Sequence, residues 1–180
     1  MQKDLPSKAE WMQTITQPYS LVESPCGTVK VALLGLLSDE PGIFRDNTFK
    51  GVPIQNVLES YAEVCHQLMP RDPTQSQNSV ADFILPLTHE SMVRDKELAK
   101  HMLALHDGPG LILGGHEHEP FDEIVTKDTE TEDSPMTTET ALSSISSDSY
   151  IRILKSGMDA NAARVVDLTF EVPDKAEEGH

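Results

Sequence analysis

The chain has 180 residues, with 14 Lys and Arg against 30 Asp and Glu, for a formal net charge of −16. A polyphosphate held along its backbone needs a basic stripe that releases counterions, so this acidity excludes nucleic-acid polymers as partners. With 38% hydrophobic residues one core can form, but no run approaches the ~18 apolar residues of a membrane span.

Residues 1–18 are a polar lead-in, and Met1 to Trp11 lack the basic-then-apolar layout of a secretory signal. The chain therefore reads as soluble, cytoplasmic by default. From Tyr19 the character changes: Tyr19 to Val22, a Pro25-Cys26-Gly27 turn, then Thr28 to Leu37 read as a strand pair. The second run is nearly all apolar, which suits a strand covered on both faces. Ser38 to Gly51 supplies turn and helix-start residues, Asp46-Asn47 among them. Val57, Tyr61, Val64 and Leu68 then follow the spacing of an amphipathic helix, which Pro70 ends.

A second apolar run, Ala81 to His89, leads into Ser91 to Leu105, with Val93, Leu98, Met102 and Leu105 on one helical side. Pro109 to His116 is a third apolar run. Strand, helix, strand, helix, strand is the rhythm of parallel crossovers, and it predicts an α/β fold with a βαβαβ core followed by antiparallel strands. Phe121 to Val125 reads as a strand. The Thr/Ser/Asp/Glu-rich insert 126–149 cannot bury enough apolar surface to offset its ordering entropy and is expected to be mobile. Glu119 to Asp148 alone hold nine acidic residues and one lysine, half of the net charge. Tyr150 to Leu154 form another strand, Val166 to Val172 alternate as a one-sided antiparallel strand would, and 174–180 are a tail. Cys26 and Cys65 stand outside any C-x-x-C pattern and read as reduced thiols.

In parallel α/β sheets ligands gather beyond the carboxyl ends of the strands. Two successive strands here end in histidine, His89 and His116, the second after Gly114-Gly115. In extended backbone His118 would share the side of His116, with Glu117 pointing away. Three imidazoles at one sheet edge suit a borderline metal of the Zn, Mn or Fe type. Histidines are also common as surface or satisfied polar residues, and H-x-H alone carries little weight. His66, His101 and His106 lie in or beside helical stretches and read as structural or solvent-facing. Asp95 is expected to support its helix start, where a carboxylate meets free N–H groups. Glu119 is a candidate partner for a metal-bound imidazole, with a solvent-facing carboxylate as the alternative.

Asp82-Phe-Ile-Leu-Pro-Leu-Thr-His89, Asp95-Lys-Glu-Leu-Ala99 and Leu111-Ile-Leu-Gly-Gly-His-Glu-His-Glu-Pro120 together resemble the later half of the calcineurin-like metallophosphoesterase family, in its 5′-nucleotidase branch. The likeness runs from about Tyr19 through Val172, within a partial domain placed at 19–173, and takes in Gly27 to Leu37, Lys155-Ser-Gly157 and the closing strand. It implies a layered α/β sandwich and a two-metal centre that hydrolyses nucleotide or related phosphate esters with an activated water. By resemblance His89 and His116 would bind the second metal and His118 the first.

The family's D-x-H, G-D-x-x-D and G-N-H motifs are not in this sequence. Two dications about 3.5 Å apart repel by on the order of 19 kcal/mol at an effective dielectric near 20, which neutral imidazoles cannot offset. Without the bridging carboxylate one metal at most is expected, held weakly. The family's general-acid histidine belongs to the missing G-N-H motif, so the chain has no catalytic residue of its own and is expected to turn nothing over. In a complete protein the substrate would be a small phosphate ester. The alternative is a non-catalytic remnant that keeps only metal or protein contacts. Half a sandwich would leave one sheet face and an edge strand open, which predicts self-association.

Overall fold

The computed structural model describes residues 17–45, 48–49, 52–70, 79–105, 110–127 and 149–171. Most of the polar lead-in, Asp46-Asn47, His106, the bulk of the acidic insert and the tail lie outside the described residues. The described chain is a mixed α/β structure with one six-stranded sheet and two helices.

A hairpin opens the sheet. Strands β1 (Ser20–Glu23) and β2 (Lys30–Leu37) pair antiparallel. Gly27 turns between them at φ 70°, where its amide donates to the Ser24 carbonyl at 2.8 Å. That left-handed conformation suits glycine because a Cβ would crowd the backbone. Helix α1 (Val57–Leu68) follows, capped by Asn56, whose Oδ1 accepts from the Leu58 and Glu59 amides at 3.1 and 3.2 Å. Such a cap satisfies donors that the first helical turn leaves open. The remaining elements are β3 (Phe83–His89), α2 (Met92–Leu105), β4 (Gly110–Gly114), β5 (Pro120–Val125) and β6 (Ile151–Ser156).

The sheet order is β1-β2-β3-β4-β6-β5. Strands β2, β3, β4 and β6 run parallel, and β1 and β5 are antiparallel edges. The expected βαβαβ core is present as β2-α1-β3-α2-β4. Side chains alternate across the sheet, and both helices pack on one face. Ala32, Leu34, Leu36, Ile84, Ile112, Ile151 and Ile153 meet Val57, Tyr61, Leu68, Leu98 and Met102 there in the main core.

The opposite face carries a smaller cluster, Leu85, Leu111 and Leu154, flanked by Val31, Leu33, Phe83 and Leu113. The expectation that β2 is covered on both faces is therefore corrected. Its inward residues Ala32, Leu34 and Leu36 are buried, but Gly35 and Leu37 on the other face are exposed. The predicted strand from Val166 to Val172 is also absent from the described residues, which end at Glu171. The segment joins neither β6, whose two sides are taken by β4 and β5, nor the outer edge of β1 or β5. It crosses the second face instead. Arg164 meets Asp122 at 3.2 Å, and the Phe170 ring stands edge-on to Phe83 with centroids 5.9 Å apart.

Candidate functional site

Strands β3 and β4 end side by side. Thr88 pairs with Gly114, and the Gly115 amide donates to the Thr88 carbonyl at 2.9 Å, so the chain leaves β4 directly beside His89. The His89 and His116 rings stand edge to face with centroids 5.4 Å apart. An open crevice of about 470 Å³ lies at these strand ends, lined by Leu37, Leu87, His89, Gly114 and Gly115 among others. A Cβ at Gly115 would sit 3.6 Å from His89 Nδ1, an ordinary contact, so room for the His89 ring does not by itself demand this glycine.

His116 departs from the extended backbone expected of the H-x-H segment. Its φ is 80°, and residues 116–119 form a bend rather than a strand. The two-residue alternation that was to bring His118 alongside His116 does not operate through a bend. His89 and His116 are brought together, while His118 is exposed. Glu119 is exposed as well, as its alternative reading had it.

Glu117, expected to point away, is the carboxylate that the structure uses. One oxygen accepts from the Met92 amide at 2.5 Å at the start of α2, and the other is bound by Lys155. Burial pushes this carboxyl up, but the Lys155 ammonium and the Met92 amide outweigh it and hold Glu117 below the usual carboxylate range. Asp95 stands at the helix start as expected and has a further partner. It lies in the first turn of α2, but its side chain is wholly buried and faces Lys155 Nζ at 2.8 Å across the sheet–helix interface. Burial pushes the Asp95 carboxyl up, against the pull of Lys155 and the Thr88 hydroxyl.

Lys155 is the hub. It follows Ile151 and Ile153 on the helix-facing register of β6, and its side chain is fully buried. A buried charge is tolerable only when paired and hydrogen-bonded, and this ammonium also donates to the Glu90 carbonyl at 2.6 Å. Gly114 makes the space. A Cβ there would lie 2.8 Å from Lys155 Cε, 2.9 Å from Asp95 Oδ2 and 3.1 Å from Thr88 Oγ1. The glycine pair that drew attention for the sake of a ligand thus serves, at Gly114, to admit a buried lysine.

The other two described histidines lie on the helices. His66 is exposed near the end of α1, and His101 is half-buried on α2. Cys26 and Cys65 are free thiols. The exposed Cys26 thiol is drawn down to about 7 by the hydroxyls of Ser24 and Thr28. A second cavity, about 450 Å³, opens under the crossing segment and is lined by Tyr61, Phe83, Met102 and Phe170 among others. Among the described residues its lining holds no histidine.

Two imidazoles are suitable donors for a borderline divalent ion, which usually takes four ligands. Among the described residues no group of three or more His, Cys, Asp or Glu side chains comes together to hold one. The described residues bring two imidazoles together, fewer donors than such an ion takes. Comparison with protein-family models, with curated proteins and with solved structures finds no match to this chain.

Proposed function

We propose that this chain is the later part of a metal-dependent phosphoesterase domain of the metallophosphoesterase type, 5′-nucleotidase branch, acting in complete form on small phosphate esters. The observation that carries the reading is the His89–His116 ring pair at the carboxyl ends of adjacent parallel strands, beside an open crevice. That is where α/β sheets present ligands. The layered sandwich belongs to the same proposal, since the less covered sheet face offers an apolar surface on which further structure could pack.

A divalent ion, when bound, supplies Lewis acidity and an activated water. His89 and His116 would hold it here through ring nitrogens; the resemblance gives His118 to a separate ion, and in the fold His118 is exposed and apart from the pair. The chain's own residues do the rest: β3 and β4 set the spacing of the two rings, and Glu117 occupies the amide of Met92 and the ammonium of Lys155. No lysine or arginine is needed to meet the phosphate, so the overall acidity does not oppose a small phosphate ester.

Calorimetric titration with Zn²⁺ tests the site. We expect at most one equivalent to bind, with loss of binding in His89→Ala and His116→Ala and retention in His66→Ala. Binding indifferent to the first two substitutions would sink the assignment. The chain alone is expected to show no turnover of p-nitrophenyl phosphate with Zn²⁺ or Mn²⁺. Hydrolysis that disappears in His116→Ala would show the missing motifs to be dispensable.

A further inference from the structure

Lys155 binds three separate pieces of chain that meet beside the histidine pair: Asp95 on α2, the Glu90 carbonyl just past His89, and Glu117 between His116 and His118. Glu117 is held at both carboxylate oxygens, by Lys155 and by the Met92 amide, and its own amide donates to the Gly115 carbonyl at 3.1 Å. The neighbouring His116 has φ 80°, a left-handed conformation uncommon for a residue with a side chain. The bend is tied on one side to a fully buried ammonium and on the other to a helix start.

We infer that Lys155 and Glu117 are positioning residues for the histidine pair: Lys155, acting through Glu117, holds His116 in the left-handed bend that turns its ring edge-on to His89. The sequence separation is large, since Lys155 lies on β6, which pairs with β4 at the far side from β3. The lysine nevertheless reaches the bend because it sits on the helix-facing register, directly opposite Gly114, where no Cβ bars its path. It needs no exposure to ligand to act. The geometric part of the inference stands on the ring pair alone, and its metal part rests on the reading proposed above.

The decisive variant is Glu117→Ala in the full chain, because Lys155 then remains balanced by Asp95 and the core keeps its charge pairing. Two readouts are taken: the nuclear Overhauser effect between the His89 and His116 ring protons, and the affinity for Zn²⁺ alone. We expect the ring-to-ring effect to disappear and Zn²⁺ to bind about 10–100-fold more weakly, as when an outer partner of a metal ligand is lost. The methyl resonances of Ile112 and Ile153 should stay in place, which a general loosening of the core would not allow. A folded Glu117→Ala that keeps both the ring contact and the affinity overturns the inference, as does a wild-type chain with no ring contact. If the wild-type chain takes up no Zn²⁺, the metal reading falls, and loss or survival of the ring contact in Glu117→Ala decides the positioning role by itself. Should Glu117→Ala fail to fold, Glu117→Gln, which keeps an acceptor for the Met92 amide and loses the charge toward Lys155, is judged by the same two readouts.

Discussion

Glu90 follows His89 directly and is wholly buried beside Ser38 and the Arg94–Asp39 pair. Burial pushes its carboxyl up, and the Ser38 hydroxyl and Arg94 offset that only in part. A carboxyl whose folded pKa lies above its unfolded value weakens the fold at pH above the unfolded value and has no effect below it. Stability contributed by this residue therefore declines as pH rises out of the acid range. Glu90→Gln should melt at a higher temperature than the wild-type chain at about pH 7.5 and at the same temperature near about pH 3. Thermal melts followed by circular dichroism at both values check this, and a wild-type advantage at the upper pH would contradict it. The same residue scale shows what a linear reading sees of this site. His89 and His116 are visible as strand-end histidines, but Lys155, Asp95 and Glu117 make sense only as a set. Weak signals exist: Lys155 continues the Ile151, Ile153 alternation, and Asp95 stands three and four residues before the buried Leu98 and Ala99. A lone charge on an apolar stripe shows that a partner is needed without showing where in the chain it lies.

Among the elements, α1 is held by its cap as well as by its buried apolar stripe. Asn56 caps the helix and also donates through Nδ2 to Asp39 Oδ2 at 2.8 Å, while the other oxygen of Asp39 accepts from Arg94 of α2 at 2.6 Å. One aspartate after β2 thus fastens the beginnings of both helices. Asn56→Ala is expected to cost about 1–2 kcal/mol, the upper part of the range for a lost cap because the Asp39 link goes with it. Asn56→Asp should also destabilise, since it keeps the cap but sets two carboxylates against each other. Urea unfolding midpoints measure both, and an Asn56→Asp chain as stable as wild type would show the Asp39 link to contribute nothing. Both helices and the three parallel strands around them were legible from apolar spacing because a period of 3.6 or an apolar run survives without tertiary knowledge. Val93 was not. It fits the helical stripe by spacing but is 68% exposed, and Asp95 is buried in its place. The final alternating segment failed for another reason: alternation permits a strand, but a ladder requires the segment to run along a strand edge, and this one crosses a sheet face.

For the whole molecule the chief consequence is asymmetry. Among the described residues helices cover one face of the sheet, the other has a thin cluster crossed by one segment, and no helix is long and apolar enough to cross a membrane. Leu21 and Val22 on the edge strand and Leu37 and Leu87 near the crevice are all exposed. An uncovered apolar edge is a template for pairing with another chain. The chain is therefore expected to self-associate with rising concentration in sedimentation velocity runs, and Val22→Lys, which puts a charge on the edge, should reduce it. A chain that stays monomeric at about 100 μM would set that expectation aside.

Local pattern alone determined the α/β class, the parallel βαβαβ order, the apolar stripe of the first helix, the boundaries of the second to within a residue, and the two strand-end histidines. Those features follow from periodicity and from residues that start or stop an element, and both act over a few neighbours. Only the tertiary structure decided which face of the sheet is covered, that the last segment crosses rather than pairs, and that Glu117 rather than Glu119 is the carboxylate engaged beside the histidines. Each depends on groups brought together from distant parts of the chain, above all the ammonium of Lys155 under Gly114, where charge, burial and the absence of one Cβ act at a single point.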